Sequence, residues 1–138
     1  MTEANDWNRS IIQEFRTNGG KVGGMFENMT LLLLTTSGAK SGQQRFNPVA
    51  YQQDGDRLFV FASKGGAPTS PDWYHNLVAH PSVTVEVGTE SFEATATPLT
   101  GAERDRIYAK QAERHPVFAE YQQKTKRTIP VVELIRSR

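Results

Sequence analysis

Val83-Thr84-Val85-Glu86-Val87-Gly88-Thr89-Glu90-Ser91-Phe92-Glu93-Ala94-Thr95-Ala96-Thr97 decides the fold class. Val83, Val85 and Val87 alternate with Thr84 and Glu86; Phe92, Ala94 and Ala96 alternate with Glu93, Thr95 and Thr97. A period of two puts the apolar side chains on one face of a strand and the polar ones on the other. Gly88-Thr89 supplies a tight turn, so the two strands pair as an antiparallel hairpin.

The same reading extends in both directions. Met29 to Thr36 is a buried strand, and Gln43 to Gln53 is a second, in which Pro48 marks an edge or a bulge. Asp54-Gly55-Asp56 is a hairpin turn leading into a strand from Leu58 to Ser63. Ile129 to Ile135 is the last strand. The spacings are too short for repeated parallel crossovers. The expected class is mainly β with short helices (α+β), and a closed or split antiparallel barrel is the natural way to remove its edges.

Helices fill the gaps. Trp7, Ile11 and Phe15 share one face of a helix over residues 6–18, which Asn18-Gly19-Gly20 stops. Ser70-Pro71-Asp72 reads as a capped start for a helix to about Ala79. Thr100 and Glu103 form a capping box opening a helix to about Arg114, and His115-Pro116 starts another to about Lys124.

With 138 residues the chain fits one domain over 1–138. Its first section, 1–24, joins the N-terminal helix to Gly19-Gly20-Lys21-Val22-Gly23-Gly24, which reads as a flexible lid or a plain linker. There is no cysteine, which excludes disulfides and thiolate chemistry. The longest apolar run, Leu31 to Leu34, is far too short to span a bilayer. Met1 to Asp6 are polar and acidic and show no signal peptide, so a cytoplasmic protein is expected. Docking of Trp7, Ile11 and Phe15 at the inner face of a membrane is the lesser alternative. His75, His80 and His115 are not spaced as a metal site.

A formal charge of +1 argues against nucleic acid as partner. Local charge points to a small anion. Lys40-Ser41-Gly42 lies in a turn with Arg45 close behind, and Ser63-Lys64-Gly65-Gly66 follows the third strand. In an antiparallel meander these two places share one end of the sheet. Guanidinium, ammonium, hydroxyl and glycine amides together are what phosphate requires. The plainer reading of each lysine alone is a solvated surface charge.

Leu31-Leu-Leu-Leu-Thr-Thr-Ser-Gly-Ala-Lys-Ser-Gly42, Arg45, Asn47-Pro48, Ala62-Ser-Lys-Gly-Gly-Ala67, Pro71-Asp-Trp-Tyr-His-Asn-Leu77 and Thr128-Ile-Pro-Val131 form an ordered series. Over about residues 15 to 135 the chain resembles the deazaflavin-dependent nitroreductase family of actinobacteria. That resemblance implies a split β-barrel of the flavin reductase and pyridoxamine-phosphate oxidase kind. It implies coenzyme F-420, an 8-hydroxy-5-deazaflavin with a phospholactyl-polyglutamate tail; FMN on the same fold is the alternative. It makes Lys40, Ser41, Arg45 and Lys64 the tail contacts, with Gly65 and Gly66 beside them. Asn47, Pro48, Ala62 and Ser63 would line the ring system, with Trp73 in the adjoining helix. Trp73 and Leu77 are equally well spaced for plain core packing.

The implied activity is hydride transfer from reduced F-420 to a quinone, enone or nitroaromatic. A cofactor-binding protein without turnover is the other reading. His115, Phe118 and Tyr121 recur at three-residue spacing and form a stripe facing core or pocket. The resemblance sets this stripe beside the substrate, with Tyr121 and His115 as proton donors and Phe118 and Ala50 as substrate contacts. Nitroimidazole-activating members carry tyrosines along this stripe and at the position of Ala50, so turnover of bulky nitroimidazoles is expected to be slow. The expected partner is a small redox acceptor, and the chain is expected to be a monomer or homodimer.

Overall fold

The computed structural model describes residues 3–18 and 31–137, with side chains from Ser10 onward. The glycine-rich stretch 19–24, Met29 and the Trp7 side chain lie outside the described residues. The elements are α1 (Glu3–Thr17), β1 (Leu31–Ser37), β2 (Gln44–Asp54), β3 (Arg57–Phe61), a 3-10 turn (Lys64–Gly66), α2 (Asp72–Ala79), β4 (Ser82–Val87), β5 (Glu90–Pro98), α3 (Gly101–Arg114), α4 (Val117–Lys124) and β6 (Val131–Arg136).

The strands close into an antiparallel barrel in the order β1-β2-β3-β6-β5-β4. The β4–β5 hairpin turns at Gly88, whose φ is +58°, and the β2–β3 hairpin turns at Gly55, with φ +63°. Inward-facing Leu32, Leu34, Val49, Val60, Val83, Val85, Ala94, Ala96, Val132 and Leu134 fill the barrel. The run Leu31–Leu34 shows no alternation because both faces of β1 are buried. Leu31 and Leu33 face outward and pack under Phe15, Ile11 and Ile12 of α1. A third cluster places Ile107 and Tyr108 of α3 and Phe118 of α4 on the outer faces of Phe59, Phe61 and Val131.

β2 pairs with β1 through residues 44–50 and with β3 only through 51–54. Pro48 therefore stands where β2 has one recorded neighbour, an edge within a closed barrel. The missing amide of proline costs least there.

Two expected caps differ. The α2 cap is Pro71, and Ser70 makes no cap bond; its hydroxyl accepts from Arg127 Nη1 at 3.3 Å instead. Thr100 caps α3 by position, but no capping-box side-chain bond forms. Glu103 lies 3.4 Å from Arg57 on β3 instead. In both cases a distant cation competes for the local group.

Candidate functional site

The β1–β2 turn, the end of β3 and the start of β6 meet at one end of the barrel, as antiparallel pairing requires. This end carries Lys40 and Ser41 in the turn, Arg45 at the start of β2, and Lys64 in the 3-10 turn. All four are exposed.

Each turn is anchored from behind. Asn76 of α2 is buried, accepts the Ala39 amide at 3.0 Å through Oδ1 and donates to Thr36 Oγ1 at 3.2 Å. The Ser41 hydroxyl accepts the Gln43 amide at 3.2 Å, which leaves its own proton for a ligand. Lys64 has φ +46°, and no other non-glycine residue described has positive φ. Such a conformation costs about 1–3 kcal/mol and persists only where the surroundings impose it.

Arg127 imposes it. Its Nε donates to the Ala67 carbonyl at 2.9 Å, Nη1 to the Ala62 carbonyl at 3.1 Å, and Nη2 to the Ser63 carbonyl at 2.9 Å. One guanidinium therefore holds both sides of the Lys64 turn. Burial lowers the Arg127 pKa from its ordinary value. Gln122 fixes the segment beyond α4: its Nε2 donates to the Arg127 carbonyl at 2.8 Å, and its Oε1 accepts from Arg104 at 2.7 Å.

Gly66 is buried at φ +84°, and an added Cβ would lie 2.7 Å from the Tyr121 carbonyl oxygen. Its role is close approach to α4. Gly65 shares the same 3-10 turn.

Asn47 and Pro48 are half-buried on β2 opposite Leu34 and Leu33. Ala62 is buried and Ser63 half-buried behind the Lys64 turn. Trp73 is 7% exposed and packed with the barrel interior, so its ring supports this end from within. Along the α3–α4 stripe the three rings differ. Phe118 is 3% exposed and packs edge-on to Phe61, 5.6 Å between centroids. Tyr121 lies 5.3 Å from Phe118 and is half-buried, as is His115. Ala50 is half-buried and packs against both the α1 cluster and the α3–α4 cluster.

An anionic cofactor tail fits this end of the barrel. Lys40, Arg45 and Lys64 have no carboxylate partner among the described residues. Arg16, Arg57, Arg104, Arg106, Lys110 and Arg136 each have at least one, whereas Arg114, Lys124 and Lys126 share the lack of one among the described residues but lie outside the two anchored turns. Unpaired cations around a fixed turn are a receptive site for phosphate.

Sequence reasoning sees Arg127 only as one of a cationic cluster with Lys124 and Lys126, and gives neither it nor Asn76 a role in the site. Asn76 shares the buried face of α2 with Trp73 and Leu77, a polar residue on an apolar stripe and so a readable signal. Arg127 has no local signal, because its partners lie about sixty residues away.

The sequence profile of the F420H(2)-dependent quinone reductase family matches residues 7–135. A protein of Mycobacterium tuberculosis described as an F420H(2)-dependent quinone reductase is 40% identical over 126 residues, spanning 88% of this chain and 85% of that one. A solved F420-H2 dependent reductase, FDR-A, is 41% identical with a TM-score of 0.69, over 75% of this chain and 92% of that one. A structure described as a domain-swapped dimer is 36% identical with a TM-score of 0.72, over 96% and 99%. At 11% identity and a TM-score of 0.56, the fold alone is shared with a Listeria innocua protein of pyridoxamine 5'-phosphate oxidase description, over 99% of this chain and 95% of that one.

Proposed function

The chain belongs to the F420H(2)-dependent quinone reductase family, an oxidoreductase family using coenzyme F-420, and on that premise we propose that the anchored cations hold the cofactor tail while the outer face of β2 at Ala50 admits the acceptor. The observation that carries this is the set Lys40, Arg45 and Lys64, left without carboxylates around turns that Asn76 and Arg127 fix. Reduced F-420, when bound, supplies a hydride, and a quinone takes up that hydride and a proton.

Lys40, Ser41, Arg45 and Lys64, with the amide of Gly65, bind the phosphate and tail, while the Gly66 amide is taken by the Ser63 carbonyl at 2.9 Å and shapes the turn. Asn47, Pro48, Ala62 and Ser63 border the ring, with Trp73 behind. Tyr121, with His115 as the alternative donor, delivers the proton to the acceptor oxygen, and Phe118 backs Tyr121 against the barrel. Tyr121→Phe then slows quinone reduction without changing cofactor affinity; full activity in that variant would remove Tyr121 from the mechanism.

No helix among the described residues is long and apolar enough to cross a membrane. Peripheral docking through α1 is disfavoured, since Phe15, Ile11 and Ile12 face the barrel. A homodimer is the assembly we favour, by the relative described as a domain-swapped dimer; light scattering at the monomer mass would reject it.

Calorimetric titration with oxidised F-420 and with FMN tests the cofactor assignment. F-420 is expected to bind more tightly. Tight FMN binding with no response to the deazaflavin would reverse the assignment.

A further inference from the structure

Pro48, Ala50, Gln52 and Asp54 point to the outer face of β2, since side chains two apart share a face. Asp54 ends this row against α3, 3.4 Å from Lys110 and 4.0 Å from Arg106. Ala50 is half-buried and packs against both the α1 cluster and the α3–α4 cluster. Gln52 lies between them, directly opposite Phe59 in the β2–β3 ladder.

Gln52 is 2% exposed, and neither its Nε2 nor its Oε1 has a hydrogen-bond partner among the described residues. Buried side-chain amides are almost always bonded, and one left open costs the full desolvation of its polar atoms. An apolar residue of the same shape would be cheaper at this position. The carboxamide therefore needs a partner supplied from outside the described structure, two residues along the same face of β2 from half-buried Ala50.

We infer that Gln52 is an acceptor-binding residue: its Nε2 donates to a carbonyl oxygen of the quinone, whose ring rests on Ala50. This deepens the function proposed above and rests on it. As the acceptor is reduced, negative charge grows on that oxygen, and an amide N–H already aimed at it stabilises the charge where water is excluded. The Oε1 atom accepts the hydroxyl proton of the quinol product. The site thus selects acceptors with a carbonyl to present beyond their ring.

The test uses the full chain with reduced F-420 and menadione. Q52M keeps the volume and removes both polar atoms. It is expected to melt at the same temperature or higher, to bind F-420 unchanged, and to lose about tenfold in menadione kcat/KM, the scale of one hydrogen bond. Q52E adds a readout that a packing role would not move. A buried carboxyl titrates upward, so its protonated form can donate at low pH, and activity should fall as pH rises through that raised value. Q52M with unchanged kcat/KM would overturn the inference, as would a lower melting point with unaltered kinetics. A wild-type protein that reduces menadione while Q52M does so equally well rejects Gln52 alone. A wild-type protein inert toward menadione rejects the proposed function and this inference with it.

Discussion

Arg127 donates from Nη2 to the carbonyl oxygen of Ser63 at 2.9 Å, across 64 positions of sequence. With its bonds to Ala62 and Ala67, this contact makes Arg127 a positioning residue for the Lys64 turn. Arg127→Met strips charge-assisted bonds from three part-buried carbonyls and is expected to lower stability by about 2–4 kcal/mol. It should also weaken F-420 binding. Arg127→Lys should recover little of either, since an ammonium cannot reproduce the planar fork. Denaturant melts and cofactor titration check this; unaltered F-420 affinity in Arg127→Met would detach Arg127 from the site.

Arg45→Ala and Lys64→Ala are each expected to weaken F-420 binding by about 1–3 kcal/mol, as for a charge-assisted contact. The loss should shrink at high salt, because exposed charges are screened. A deazaflavin lacking the phosphate tail should bind both variants as it binds the parent. Equal losses with and without the tail would move these residues away from the phosphate.

Gly66→Ala and Gly42→Ala form a controlled pair. Both positions have positive φ, but an added Cβ at Gly42 meets nothing within 4 Å, whereas at Gly66 it would lie 2.7 Å from the Tyr121 carbonyl. Gly42→Ala should cost about 1 kcal/mol in backbone strain alone. Gly66→Ala should cost about 1–3 kcal/mol more, because α4 must move. Equal melting temperatures for the two variants would mean that α4 does not rest on Gly66.

Burial pushes the Tyr108 hydroxyl up to about 12, with Arg104 and Arg127 pulling the other way and Tyr121 adding to the rise. The folded pKa is higher than the unfolded value of 10.0, so the folded state keeps its proton longer. This contribution to stability is complete below pH 10 and is lost as pH rises toward 12. Tyr108→Phe should flatten that alkaline decline. It also removes the 2.5 Å bond from the hydroxyl to the Phe118 carbonyl, at about 0.5–1.5 kcal/mol near neutral pH. Unfolding free energy measured between pH 9 and 12 decides it, and an unchanged slope in the variant would acquit Tyr108.

The barrel was legible because its signals are local. Alternating valines and the glycines at 55 and 88 mark hairpins without help from the rest of the chain. The continuous leucines of β1 were legible as buried, though the sequence does not say that α1 covers one face. Caps failed where a long-range cation outbid a local bond: Glu103 went to Arg57 and Ser70 to Arg127. Lys40, Arg45 and Lys64 could be grouped from turn chemistry alone. Arg127 could not, because only the closed barrel brings it under the Lys64 turn. Trp73 and Phe118 show the limit of spacing arguments: the same period serves core and pocket, and both rings are buried in the packing of the barrel and its helices.

The most direct test of the central claim is anaerobic mixing of reduced F-420 with menadione in the presence of the protein, followed by absorbance of the oxidised deazaflavin. Saturable, protein-dependent oxidation of the cofactor is expected, slowed in Arg45→Ala and Lys64→Ala through weaker cofactor binding and unaffected by added FMN. Oxidation no faster than without protein, or turnover that appears only when FMN is added, would contradict the account.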